Sequence, residues 1–276
     1  MGMKKELHRI LKKMKKVVKE PVYIPVFEGE ILIGKTVLVT GATGGIGKAI
    51  AKRCVENGAV VIIAGRSQEK VSAIVGSLNN TIPFIVDIQN TEKMKQDFLE
   101  LVEKQKLKID TLINCAGLQA GGIFENTDLA GFDKTINTNL KGTYFFSEIF
   151  SNYLIDNDIK GNILNISSVS GCRPAISPYM VSKWGVTGLT EGMAKKLIKY
   201  GIVVNGIAPG PVATEMLGLD GLNLDYDNAP AGRYSDPVEI ANLAVFMISG
   251  MGRMIVGDTV YVSGGCGNLT FDDIEY

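Results

Sequence analysis

Histidine is nearly missing from this chain: His8 is the single one in 276 residues. Hydrolases of the Ser-His-Asp or Cys-His type need an imidazole beside the nucleophile, and most catalytic zinc sites need at least one. Only a basic terminal stretch could supply it here, so the proton donor of any chemistry is expected to be Tyr, Lys, Asp or Glu. Cysteine is also sparse. Cys54, Cys115, Cys172 and Cys266 lie far apart with no Cys-x-x-Cys pair, so neither a zinc knuckle nor a disulfide framework is suggested, and a reducing cytoplasm fits best. No stretch reaches the ~20 apolar residues of a membrane span, and no uninterrupted apolar h-region marks a signal peptide. Repeats of 20 to 50 residues and low-complexity segments are likewise missing.

Net charge is zero overall but unevenly spread. Residues 1–20 hold Lys4, Lys5, Arg9, Lys12, Lys13, Lys15, Lys16 and Lys19 against Glu6 and Glu20, about +6, which leaves the remainder at about −6. No comparable basic stretch recurs, which argues against a nucleic-acid partner. Within residues 3–18 the apolar positions Met3, Leu7, Ile10, Leu11, Met14, Val17 and Val18 are spaced by three and four. They predict an amphipathic helix with a basic face. It reads either as a membrane-surface or partner-docking helix, or as a terminal arm packed on its own or a neighbouring subunit. The lack of Trp or Phe to anchor it at an interface favours the arm.

Beyond an extended linker from Pro21 to Pro25, strands are predicted at 35–40, 59–64, 82–86, 109–113, 161–167, 202–207 and 259–262. Helices are predicted near 45–57, 67–77, 91–106, 129–157, 178–200 and 236–249. Strict alternation implies right-handed crossovers and a parallel sheet. Continuously apolar strands such as Val60-Val-Ile-Ile-Ala64 imply cover on both faces. The expected fold is α/β, a single-domain Rossmann-type doubly wound sheet over 34–268, with the basic helix and linker at 1–33 and a tail at 269–276.

The first strand runs into Thr40-Gly41-Ala42-Thr43-Gly44-Gly45-Ile46-Gly47 and then a helix-like stretch. The strand, glycine turn and helix suit a dinucleotide, whose diphosphate sits over the helix N-terminus. The spacing is Gly-x-x-x-Gly-x-Gly. It is not a P-loop, because five residues separate Gly41 from Gly47-Lys48 and Ala49 follows. Ligands of such sheets lie beyond the carboxyl ends of the strands. After the second strand stands Arg66, where many NAD enzymes carry a carboxylate for the ribose 2′-hydroxyl. An Arg there would pair with a 2′-phosphate, which favours NADP(H) over NAD(H), unless it merely caps the strand end. Asp87, followed by Ile88 after the third strand, is read either as an acceptor for the adenine amino group or as a turn former.

Asn114-Cys-Ala116-Gly117 follows the fourth strand, Ser167-Ser168 ends the fifth, and Tyr179-Met-Val-Ser-Lys183 opens the next helix. Four residues apart, Tyr179 and Lys183 project from one face about 6 Å apart along the axis. Bringing a phenol from ~10 close to neutrality needs roughly 4 kcal/mol of preferential phenolate stabilisation. A neighbouring Lys and a cationic nicotinamide in a dry site could provide it. Ser168 would hold the substrate oxygen while Tyr179 exchanges its proton.

Taken together and in order, Thr40-Gly-x-x-x-Gly-x-Gly47, Asp87, Asn114-x-Ala-Gly117, Asn139, Ser168, Tyr179-x-x-x-Lys183 and Pro209-Gly-Pro-Val-x-Thr214 resemble the short-chain dehydrogenase/reductase family, in particular its 3-oxoacyl-acyl-carrier-protein-reductase-like members. The resemblance covers about 34–268. It implies NADP(H)- or NAD(H)-dependent hydride transfer between the nicotinamide and a carbonyl or secondary alcohol. Ser168 and Tyr179 would bind and protonate the carbonyl oxygen, Lys183 would bind the nicotinamide ribose and lower the Tyr179 pKa, and Asn139 would order a water in the proton relay. Ser167 is the alternative to Ser168. The cofactor would be held by Gly41, Thr43, Gly44, Gly45, Ile46, Gly47, Arg66, Asp87, Ile88, Asn114, Ala116 and Gly117. Tyr179 and Lys183 would add to these, and Pro209, Gly210, Val212 and Thr214 would pack against the nicotinamide.

Departures from the family pattern are Cys115 where Asn is frequent, a shortened stretch between Ser168 and Tyr179, and Gly44 in place of a basic residue. The segment from Thr214 to Asp236, with Leu217, Leu219, Leu222, Leu224 and Tyr226 beside Asp220, Asp225 and Asp227, reads as a lid over a hydrophobic or mixed substrate or as a surface loop. Its acids argue against a phosphorylated or carboxylated substrate. The family resemblance further implies a homotetramer or homodimer through the two long helices, with Tyr144-Phe-Phe146 in the interface. Competing expectations are a non-catalytic dinucleotide sensor or scaffold, a reductase recruited by residues 1–20, and epimerase or dehydratase chemistry.

Overall fold

The computed structural model describes residues 29–214, 216, 224, 226, 229–267 and 269. The amphipathic helix expected over 3–18, the Pro21–Pro25 linker and, within the 214–236 lid, residues 215, 217–223, 225, 227 and 228 lie outside the described residues.

Seven parallel strands form one sheet: β1 (Thr36–Thr40), β2 (Val60–Gly65), β3 (Thr81–Ile85), β4 (Thr111–Asn114), β5 (Asn162–Ile166), β6 (Val203–Pro209) and β7 (Thr259–Val262). Their order is β3-β2-β1-β4-β5-β6-β7, so the chain reverses direction across the sheet between β1 and β4. Ligands of open α/β sheets bind beyond the strand ends at such a reversal.

Alternation along each strand divides the core into two layers. Val37, Val39, Val61 and Ile63 face one side, under α1 (Gly45–Glu56), α2 (Gln68–Ser77) and α7 (Pro237–Ile248). Leu38, Ile62 and Ala64 face the other, under α3 (Thr91–Gln105), α5 (Thr143–Asp156) and α6 (Pro178–Leu197). In that second layer Phe98 meets Phe146, Phe150 and Tyr153 edge-on at 5.8, 6.0 and 5.5 Å between ring centroids. Such pairs contribute ~0.5–1.5 kcal/mol each beyond their buried area.

One expected element is interrupted. The helix predicted over 129–157 is α4 (Leu129–Ile136), a π-helical turn (Asn137–Gly142) and then α5. The cause is tertiary. A Cβ built on Gly142 would stand 2.9 Å from the Ile88 side chain, and the Asn139 amide turns inward to the backbone of Leu118. A second difference concerns Phe146, expected in a subunit interface. It is fully buried in the core, whereas Tyr144 and Phe145 are exposed. Among the described residues no helix is long and apolar enough to cross a membrane.

Candidate active site

A cleft of about 480 Å³ opens beyond the carboxyl ends of the strands. One wall is the turn between β1 and α1. Gly41 has φ +66°, and a Cβ there would lie 2.8 Å from Cα of Ala116. A Cβ on Gly47 would collide with the Gly41 carbonyl, whereas one on Gly44 would meet nothing within 4 Å. The first two glycines therefore let the turn close against β4 and α1, and Gly44 leaves the cleft open. Thr40 locks this closure, its buried Oγ1 accepting from the N–H groups of Cys115 at 3.0 Å and Ala116 at 3.1 Å.

The N-termini of α2, α3, α4, α6 and α7 are capped by side chains of Ser67, Asn90, Asp128, Ser177 and Asp236. At α1 the capping position is Gly44, which has no side chain to offer, and no acid stands in the first turn. Its orphan N–H groups and positive dipole end face the cleft, which is the environment a diphosphate needs. The residues present thus fit a dinucleotide. Gly45 lies under Thr214, a Cβ there meeting its Cγ2 at 2.9 Å. Thr43, Ile46, Ala116, Pro209, Gly210 and Val212 also line the cleft, as do Arg66, Asp87 and Ile88 at the β2 and β3 end. Arg66 is exposed. Asp87 accepts from the N–H of Gln89 at 3.0 Å, the turn-forming role weighed for it above.

At the far end Ser168, Tyr179, Lys183 and Gly117 come together. The Tyr179 phenol stands near enough to Ser168 to feel its hydroxyl, and Ser168 Oγ accepts from the N–H of Ser170 at 3.1 Å. Lys183 Nζ lies 5.6 Å from the centroid of the Tyr179 ring and donates to the Ile166 carbonyl at 2.8 Å. Ser167 does not share this role. Its hydroxyl donates to the Lys183 carbonyl at 3.1 Å and meets Thr187 Oγ1 at 2.8 Å, holding α6 against β5.

Electrostatics here differ from the expectation of a phenol lowered by its lysine. Burial pushes the Tyr179 phenol up, the Ser168 hydrogen bond pulls it partly back, and Cys115 adds an upward push. Burial also lowers Lys183 to about 8. Cys115, half-buried on the same wall, has its thiol pushed up to about 12 by burial, with the Lys183 charge acting the other way. The two hydrogen-bonding groups of the site are thus poised with the phenol protonated.

Two expected site residues do not line the cleft. Asn114 donates to Ser147 Oγ at 2.9 Å and Asn165 Oδ1 at 2.8 Å, and Asn165 donates in turn to Thr190 Oγ1 at 2.8 Å. This buried polar ladder ties β4 and β5 to α5 and α6. Asn139, fully buried, accepts from Leu118 N–H at 2.9 Å, donates to Leu118 O at 2.9 Å and donates to Ser182 Oγ at 3.0 Å. Its amide clamps the backbone just past Gly117 to α6. Sequence reading missed Thr138 and Arg173, both buried and both lining the cleft. Neither carries a local signal, since each depends on which way its own turn faces.

The family model for short chain dehydrogenase matches residues 35–222. The chain is 31 % identical to a 3-oxoacyl-acyl-carrier-protein reductase of Aquifex aeolicus, over 85 % of this chain and 98 % of that protein. It is 32 % identical to a gluconate 5-dehydrogenase of Gluconobacter oxydans, over 85 % and 95 %. Among solved structures, a putative gluconate dehydrogenase from Agrobacterium tumefaciens superposes with a TM-score of 0.81 at 28 % identity, over 89 % of this chain and 100 % of that one. A sheet with this strand order, a glycine turn shaped for a diphosphate and relatives aligned nearly end to end lead to one conclusion: the chain belongs to the short-chain dehydrogenase/reductase family of NAD(P)-dependent oxidoreductases acting on CH–OH or carbonyl groups.

Proposed function

We propose that the chain is an NADP(H)-dependent carbonyl reductase or secondary-alcohol dehydrogenase working through Ser168, Tyr179 and Lys183, with Asn139 as a positioning residue. The observation that carries this reading is the convergence of Ser168, Tyr179 and Lys183 at one end of the cleft, with Lys183 Nζ 5.6 Å from the phenol ring. A substrate carbonyl oxygen entering between the two hydroxyls accepts from both. Hydride to the carbonyl carbon is the chemistry the nicotinamide supplies when bound. Negative charge then develops on the oxygen, and Tyr179 delivers its proton there while Ser168 holds the oxygen in place. Burial keeps the phenol protonated, which is the form that reduction consumes. Lys183, anchored on the Ile166 carbonyl, adds positive charge beside the phenolate left behind. Asn139 acts at one remove by holding Leu118 and the wall next to Gly117.

Arg66 at the cleft rim supports NADP(H), because its guanidinium can pair bidentately with a 2′-phosphate. The names of the matched relatives suggest 3-oxoacyl thioesters and sugar keto acids as compounds to try, the thioesters first because the acids of the 214–236 segment disfavour a carboxylated substrate. The exposed side chains of Tyr144 and Phe145 on α5 and Val181 and Trp184 on α6 support a homo-oligomer closed through these helices. The four unbridged cysteines suit a reducing cytoplasm. The deciding experiment is fluorescence titration with NADPH and, separately, NADH. Tighter binding of NADPH is the expected result. Preference for NADH would remove the role given to Arg66, and binding of neither would leave a scaffold in place of an enzyme.

A further inference from the structure

The chain just after Ser168 is pinned to α6. Two successive tight turns keep residue 173 near Ser168: the Ser168 carbonyl accepts from Gly171 N–H at 2.9 Å and the Val169 carbonyl from Cys172 N–H at 3.2 Å. Gly171 presses on the helix, where a Cβ would stand 2.7 Å from the Lys183 carbonyl. The Arg173 carbonyl accepts from Trp184 Nε1 at 2.6 Å. The turns are therefore tied to the stretch of α6 that carries Lys183, and a ligand-reading group acts best from such a fixed wall.

Arg173 itself is 6 % exposed and lines the cleft. Its stem passes Gly267, where a Cβ would stand 3.5 Å from Arg173 Nε and 2.8 Å from Val169 Cβ. Among the described residues that line the cleft the one acid is Asp87, at the β3 end, so Lys183 and Arg173 set positive charge at the end that holds Ser168 and Tyr179. A guanidinium presents five N–H donors in a fixed planar fork, and bonds along one edge leave donors on another for a ligand. Ser168 and Tyr179 already take the oxygen of the reduced carbonyl, so Arg173 meets what the substrate carries beside it.

We propose that Arg173 selects the substrate by donating to a second oxygen acceptor next to the carbonyl that is reduced, which makes the substrate class a β-oxo thioester or a β-oxo acid. The inference rests on the reductase reading above and deepens it. The neutral thioester carbonyl is the expected source, given the acids of the 214–236 segment.

The test measures kcat/KM with saturating NADPH for two pairs of nearly equal shape: S-ethyl acetothioacetate against methyl pentyl ketone, and acetoacetate against methyl isobutyl ketone. The intrinsic reactivity of each compound cancels when a variant is compared with the wild type. Arg173→Met should lower the ratio within the thioester pair by about ten- to hundredfold, the size of a lost hydrogen bond from a charged donor. Arg173→Lys keeps the charge without the fork and should lose about three- to tenfold; it carries the comparison should the Met variant fail to fold. A fall confined to the acetoacetate pair supports the assignment with a carboxylate as the acceptor. Unchanged ratios in both pairs overturn the assignment and leave the reductase reading in place. An equal loss on all four compounds also overturns it, because that is the result of a collapsed wall. A wild type that oxidises NADPH with none of the four removes the reductase reading for these compounds and the assignment with it.

Discussion

Tyr179 and Lys183, two neighbouring groups on one helix face, are both taken from their ordinary values chiefly by burial. The phenol goes up and the ammonium comes down to about 8. Two predictions belong at this scale. Tyr179→Phe removes the proton donor and should lower turnover by about 10²- to 10⁴-fold, with NADPH affinity, read by fluorescence, staying within a few-fold. For Lys183 the sign of the pH dependence follows from its depressed value. Between about 8 and its ordinary 10.5 the unfolded chain binds a proton that the folded chain does not, so this residue makes stability rise with pH across that window. Below pH 8 both states are protonated and its destabilising effect is complete. Lys183→Met should therefore be most stable relative to the wild type below pH 8, and the difference should shrink as pH approaches 10.5. Denaturant melts at several pH values measure that slope. A constant offset would mean that Lys183 is not desolvated. Cys54, pushed up to about 12, makes stability fall above pH 9 in both proteins and cancels from the comparison, whereas Cys115 and Lys183 act on each other's titration, so the slope is read between pH 8 and 9.

At the scale of elements, the glycine turn between β1 and α1 invites a paired test. Gly41→Ala must place a Cβ 2.8 Å from the Ala116 backbone at φ +66°. It should cost ~1–3 kcal/mol and weaken dinucleotide binding. Gly44→Ala, at φ −137° with open space around it, should stay within ~0.5 kcal/mol of the wild type. Equal losses in thermal melts of the two variants would contradict the tight approach of this turn to β4. The same scale separates what local pattern reveals from what it hides. Strand and helix limits follow hydrophobic period and capping residues, so β1 and α1 fall within a residue of their expected bounds. The π-turn at Asn137–Gly142 was not legible, because apolar spacing runs on through it. Ile88 and Leu118, from other parts of the chain, impose the break.

For the whole molecule, the homo-oligomer proposed above would close on the exposed Tyr144, Phe145, Val181 and Trp184 of α5 and α6. A Tyr144→Glu, Val181→Glu double variant should sediment as a monomer with unchanged circular dichroism. An unchanged sedimentation coefficient would place the contact elsewhere. Trp184 is a poorer target, since its Nε1 donates to the Arg173 carbonyl at 2.6 Å and so supports the cleft wall.

The sequence by itself determined the parallel sheet, the glycine turn, the Tyr179–Lys183 pair and the family. Each is carried by periods of two, of 3.6 or of four residues, or by a backbone freedom that only glycine has, and these act within one element. Tertiary structure alone decided that the Ser167 hydroxyl bonds to Lys183 O and Thr187 while Ser168 stands beside Tyr179, that Asn114 joins a ladder through the sheet instead of lining the site, that the Thr138 hydroxyl has no partner among the described residues, and that burial raises Tyr179. Those outcomes depend on desolvation and on hydrogen-bond partners brought in from distant segments. Neither exists until the layers close.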